Sequence, residues 1–224
     1  MPRATFILTK RLRVRERDTL LLYACASLVL GCSSILPIAQ KLIVRRGLCI
    51  YPIRGLLIIA IAYCVVSSCL AWTLQGPIAC LSLSLGCFCM AVLFICDMHA
   101  RILPTECVGL LLGFSIAYRL SHGSMQELEI IFIAIAPLAG LLLVWNRVRA
   151  NAGKAELLGS GDARMFLPLA LFSGSSGLIE GLMAGAAVMG AVALLQFASF
   201  SVGKDESIAL APGLAVWLIV GALI

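Results

Sequence analysis

Two carboxylates that meet at a lipid boundary can activate water, and this chain has few acids from which to build such a pair. Its 224 residues include only four aspartates, Asp18, Asp97, Asp162 and Asp205. Asp97 and Asp162 fall at the ends of long apolar stretches, where a charged side chain is expensive and marks a functional position by default. Aspartic catalysis needs two carboxyl groups close enough to share one proton. One takes a proton from water, and the other protonates or hydrogen-bonds the scissile carbonyl. At about 4 Å and an effective dielectric of 20, two like charges repel by about 4 kcal/mol. That corresponds to roughly 3 pKa units, sufficient to keep one acid protonated while its partner ionises. The protons then belong to the pair rather than to either residue.

The neighbours of each aspartate carry further information. Asp162 closes the run Gly159-Ser160-Gly161-Asp162, and glycines on either side of Ser160 suit a backbone that turns sharply and approaches another segment closely. A helix is expected from about Ala163, which leaves Asp162 near its N-cap; capping backbone N–H groups is therefore an alternative role for this carboxylate. The second stretch reads Asp97-Met98-His99-Ala100-Arg101-Ile102-Leu103-Pro104. Here the apolar helix is expected to end at Asp97, a polar loop to follow, and Pro104 to take the first position of the next helix. Read alone, Asp97 is an interfacial residue facing water. His99 and His122 are placed in loops without a spaced partner and read as solvated. Glu180 interrupts an apolar stretch and reads as an interfacial residue near a helix end on the outer side.

The elements that must position these residues follow from composition. The chain is 62% hydrophobic and 12% charged, with a mean hydropathy of +1.07. Soluble domains carry roughly 25% charged residues, so the fold class expected is all-α, a polytopic membrane helical bundle. Eight apolar segments are legible: Leu20–Val44, Pro52–Trp72, Pro77–Cys96, Pro104–Leu120, Leu128–Trp145, the short Ala163–Ser173, Ser176–Ala198 and Ile208–Ile224. Seven or eight of them are expected to span. Residues 1–19 form a basic N-terminal segment, and residues 20–224 form one integral membrane domain. A cleaved secretory signal does not fit, because the first apolar stretch is too long and more spans follow. The net charge of +6 could suggest nucleic acid, but the basic residues sit between hydrophobic segments, where they orient a membrane protein. All ten cysteines precede position 108 and none forms a CxxC pair. They read as small hydrophobes within helices, not as metal ligands or a disulfide framework. No metal and no cofactor is expected.

Lys and Arg counts assign the faces. One set of loops holds Lys41, Arg45, Arg46, Arg54, Arg101, Arg147, Arg149, Lys154, Arg164 and Lys204, and the opposite set holds only Arg119. Positive loops face the cytoplasm, which places Asp97 and Asp162 there, two crossings apart. The basic leader is at odds with this, because strict alternation puts it on the other face. Glycines at four-residue spacing, Gly109 with Gly113 and then Gly177, Gly181 and Gly185, predict stripes where helices pack closely.

Taken together, these motifs make the chain resemble the type IV prepilin peptidases, membrane aspartyl proteases of the GxGD class. In that family the first catalytic aspartate closes a helix ahead of an Ile/Leu-Pro pair, as Asp97 precedes Leu103-Pro104. The second lies in GxGDxK before a short apolar run ending in glycine. Here that reads Gly159 to Arg164, followed by Met165 to Gly174. The likeness covers Ala91–Ala198, with fainter traces at Gly31–Ile43 and at Tyr51-Pro52 with the helix after it. It implies Asp97 and Asp162 as the catalytic pair, with Gly159, Ser160, Gly161, Arg164 and Pro104 supporting the motif. It also implies cleavage of leader peptides from prepilins or pseudopilins at the cytoplasmic face of a bacterial inner membrane, with the bilayer as the other partner and no nucleic acid. Two departures stand out. Arg164 replaces the usual lysine, which keeps charge but changes donor geometry. The cysteine-rich cytoplasmic loop of longer members, associated with zinc and N-methylation, is reduced here to Lys41–Ile50, so the resemblance implies the peptidase and leaves methyl transfer open. A proton-coupled transporter would also use intramembrane acids, though usually near mid-bilayer in broken helices. A catalytically silent assembly factor is the third class; both aspartates being intact argues against it.

Overall fold

Segments this apolar can satisfy their backbone N–H and C=O groups only within themselves, and in lipid that leaves the helix. The computed structural model describes residues 33–45, 54–71, 77–100, 102–122, 125–152, 160–198 and 210–223. Among them the regular elements are all helical: α1 (33–45), α2 (Arg54–Ala71), α3 (Pro77–Ala100), α4 (Thr105–His122), α5 (Met125–Asn151), α6 (Ser160–Ala198) and α7 (Ala211–Leu223). The basic leader, Tyr51-Pro52, Arg101, Lys154, Gly159 and Lys204 lie outside the described residues.

The all-helical membrane class is as expected. Among the described residues three helices are long and apolar enough to cross a bilayer, at Ile78–His99, Met125–Asn151 and Gly161–Val192. Two shorter apolar helical stretches, Leu57–Val66 and Ala211–Ala222, accompany them. α3 is the central element: 61% of its apolar window is buried, against 11% for α5. Met90, Leu93, Ile95 and Cys96 on α3 are fully enclosed. On α5, Ile130, Ile133, Leu141 and Val144 instead point outward, as residues facing lipid do. Cys64, Cys87, Cys89, Cys96 and Cys107, on α2, α3 and α4, are buried among the apolar side chains of the core.

The two apolar segments expected at 163–173 and 176–198 are two helical halves of α6 that meet at a break. Gly174 leaves helical geometry at φ 71° and ψ −174°, a left-handed conformation that side chains resist. A helix ending inside a protein strands its last carbonyls, and here Arg119 receives them. Its Nε donates to the Leu171 carbonyl at 2.9 Å and its Nη2 to the Phe172 carbonyl at 3.1 Å. Its Nη1 donates to Glu127 Oε2 at 2.9 Å, while Glu127 Oε1 accepts from the Ser175 hydroxyl at 3.3 Å. Counting loop charges put Arg119 in an outward loop. It is in fact 7% exposed on α4, because the guanidinium fork can serve two carbonyls and a carboxylate at once.

Beyond the break, the stripe of Gly177, Gly181 and Gly185 packs directly on α7. A Cβ at Gly185 would stand 2.7 Å from the Gly213 carbonyl oxygen and 3.1 Å from Trp217 Cβ. Such backbone approach is what small residues permit between membrane helices. The Trp217 indole N–H donates to Ser173 Oγ at 3.0 Å, and Ser173 Oγ donates to the Leu169 carbonyl at 2.9 Å. The Tyr118 hydroxyl donates to the Ala222 carbonyl at 3.2 Å. Gly109 and Gly113 differ from expectation: both are exposed, and a Cβ at either meets nothing within 4 Å among the described residues. Four-residue spacing defines a stripe, but a stripe packs only where a partner helix lies over it.

The Arg119 clamp carries the first prediction. Arg119→Ala strips two carbonyls and Glu127 of their donor, and should cost about 2–3 kcal/mol; Gly174→Ala adds left-handed strain of about 1–2 kcal/mol. Thermal unfolding in detergent micelles should show both variants melting below wild type, with Arg119→Ala the lower.

Candidate active site at the junction of α3, α6 and α7

Asp97 sits in the last turn of α3, which runs on to Ala100. The helix therefore does not end at the aspartate, and His99 is helical too, as is His122 at the end of α4. Asp97 does not face water either: it is 8% exposed, because α7 covers it. The Ala211 backbone N–H donates to Asp97 Oδ2 at 3.0 Å, joining residues 114 apart in sequence. Ala211 is the first residue of α7, so its amide is one of the donors that a helix start leaves unpaired.

Asp162 lies on the first turn of α6, which starts at Ser160 and not near Ala163 as expected. A carboxylate there is favoured by the partial positive charge of the helix start. Its residue is half-buried, between the fully enclosed Ala163 on one side and the half-buried Gly161 on the other. Asp162 is also within reach of the charge of Asp97. The structure thus brings together two acids separated by a whole intervening pair of helices, α4 and α5.

Three contacts hold this junction. Gly161 is pressed on the segment after α3: a Cβ there would stand 2.9 Å from Leu103 Cβ and 3.1 Å from Leu103 Cδ1. This is the close approach that the glycine-rich run called for, and its partner is the Leu103-Pro104 segment. Pro104 is buried one position earlier than expected, ahead of α4 and not within it. Its carbonyl accepts from the Cys107 and Val108 N–H groups at 3.1 and 3.2 Å, which makes it the cap of the helix. Further along α6, the Phe166 ring meets Trp217 of α7 edge-on, with centroids 5.5 Å apart. Arg164 points to the exterior, between the buried Ala163 and Met165. Ser160 begins the helix, and Gly159 is outside the described residues.

The sequence did not foretell Ala211 or Arg119. An alanine carries no chemical signal, and its role rests on a backbone amide. Arg119 had a signal, as the sole basic residue among the loops of its face. Glu180 is exposed on α6 within the stretch after the Gly174 break, away from the helix starts that carry the acids. Among the described residues no group of three or more His, Cys, Asp or Glu is placed to hold a metal ion.

Two carboxyls whose charges interact at one junction have the elements of acid–base chemistry on water. Comparison with known proteins bears on that chemistry. The sequence model of the type IV leader peptidase family matches residues 84–195, half of the chain. The match takes in Asp97 and Asp162 and stops before α7. No curated protein and no solved structure matches the chain.

Gly161→Ala should push the start of α6 off Leu103 and lower peptidase activity about tenfold or more, since small displacements of reacting groups are costly. Leu103→Ala, added to it, should restore part of the loss. Initial rates for wild type, both single variants and the double variant check the coupling.

Proposed function

The chain belongs to the type IV leader peptidase family, and on that premise we propose that it is an aspartic endopeptidase using Asp97 and Asp162 to remove leader peptides from type IV prepilins or pseudopilins. The observation that supports this reading is the close approach of the start of α6 to the segment that follows α3, with Gly161, beside Asp162, pressed on Leu103, six residues after Asp97. In the proposed reaction one carboxylate takes a proton from a water molecule, whose oxygen bonds to the scissile carbonyl carbon. The other carboxyl gives its proton to the carbonyl oxygen, producing a tetrahedral diol. The proton gained by the first then passes to the leaving nitrogen as the C–N bond breaks, and the diol's surplus proton returns to the second acid. Each turnover leaves the pair as it began.

The substrate proposed is an apolar N-terminal helix preceded by a short positively charged leader, cleaved where leader meets helix. The proposed face is cytoplasmic, in a bacterial inner membrane. Supporting this, the exposed Arg147 and the half-buried Arg149 lie at the end of α5, ahead of α6 in the chain. Arg45 of α1 also reaches Glu106 of α4 at 3.9 Å, on the side of α4 that adjoins Asp97. Basic residues gathered there fit the inward-facing end of a membrane protein. Both acids lie within a turn of a helix end, which favours hydrolysis at the interface over a proton-coupled transporter with mid-membrane acids.

Asp97→Asn and Asp162→Asn should each reduce cleavage of a prepilin in detergent by about a hundredfold or more, with both proteins still inserted in the membrane. Mass spectrometry of the co-expressed pilin reports leader removal directly. Full activity in either variant would end the assignment, and a chain that binds prepilin but never cleaves it would be an assembly factor.

A further inference from the structure

We propose that the first amide of α7 is a working part of the site: the Ala211 N–H positions Asp97 as the member of the pair that takes the proton from water, leaving Asp162 to donate to the carbonyl. The inference rests on the two-aspartate reading above and adds to it a division of labour. It also brings in a helix that lies outside the family match.

The argument is geometric. Ala211 is the first residue of α7, and the Leu210 carbonyl ahead of it accepts the first helical bond, from Leu214 N–H at 3.1 Å. The Ala211 N–H therefore has no partner inside its own helix. It donates to Asp97 Oδ2 at 3.0 Å in a buried setting. A backbone N–H can only donate, so the oxygen it meets must accept, and a helix start favours negative charge on that oxygen. Asp162 lies at the start of its own helix but is less enclosed than Asp97. The two acids are thus held differently: Asp97 is fixed from across the bundle by a donor on another helix, and a base held this way is already oriented when water arrives.

The contact also explains why α7 is bound so firmly along α6. Gly185 against Gly213, and Phe166 against Trp217, set the height of α7 and hence the place of its first amide. Ala211 is a positioning residue in this scheme, acting through Asp97.

Proline in place of Ala211 removes the N–H while suiting the first position of a helix. The residue before it, Leu210, is already non-helical, as a residue preceding proline prefers. The full-length chain in detergent is assayed against a prepilin bearing a basic leader, alongside Asp97→Asn and the control Pro212→Ala, which alters the same turn but keeps the amide. The expected result for Ala211→Pro is a fall in kcat of about tenfold or more, the scale of a charge-assisted hydrogen bond, with KM within twofold of wild type. Pro212→Ala should match wild type. If Ala211→Pro fails to accumulate, an ester in place of the 210–211 amide deletes the N–H alone and decides the question by the same readout. Unchanged kcat overturns the proposal. So does a loss shared equally by Pro212→Ala, or a change confined to KM, since either is what mere helix packing would produce. Wild type and Asp97→Asn cleaving equally well would instead remove the two-aspartate reading, and this inference with it.

Discussion

Two like-charged side chains enclosed in an apolar bundle must be given something positive, or they will not be tolerated there. This structure supplies it with helix starts. Asp162 occupies the first turn of α6, and Asp97 receives the first amide of α7. Arg164, next but one to Asp162, turns outward. Partial charges from backbone dipoles are enough to keep a carboxylate in place, yet they do not neutralise it as a buried cation would. A pair held in this way keeps its capacity to exchange a proton, which a full ion pair would suppress.

That constraint accounts for much of the architecture. Both helix starts must arrive at the end of α3, so α6 and α7 must lie against one another and against α3. The glycine stripe on α6 and the glycines of α7 permit that approach. Side chains of ordinary size would separate the helices and withdraw Ala211 from Asp97. At the other end of the same half-helix, Arg119 receives the carbonyls of Leu171 and Phe172. The half-helix carrying Asp162 is therefore gripped at both ends, by Leu103 at Gly161 and by Arg119 at the Gly174 break. Fixing both ends of a short rigid rod fixes the position of any group on it.

The buried arginine also shows how polar chemistry enters such a bundle without excessive cost. Arg119 is enclosed, but its donors meet two carbonyls and one carboxylate, and that carboxylate meets Ser175. A cation with every nearby acceptor engaged is tolerated where a bare one is not. The helix break at Gly174 is what exposes the carbonyls it needs, so break and arginine require each other.

What could be read in the residues alone was the chemistry that depends on residue type and local spacing. An all-helical membrane fold followed from composition, Asp97 and Asp162 stood out as candidates from their place at the ends of apolar stretches, and the need for a close approach at Gly161 followed from its glycine neighbour. The exact starts and ends of helices, the depth of Asp97 and the burial of Arg119 were not legible. Helices apolar on every side carry no amphipathic face, and without one the sequence does not say which helix lies against which. Only the tertiary structure decided that Gly177, Gly181 and Gly185 are covered by α7, while Gly109 and Gly113 meet no neighbour among the described residues. It alone brought the amide of an alanine to an aspartate 114 residues away. Side-chain chemistry is written in the order of residues, but a backbone donor is the same at every position, and its role exists only once the chain has folded around it.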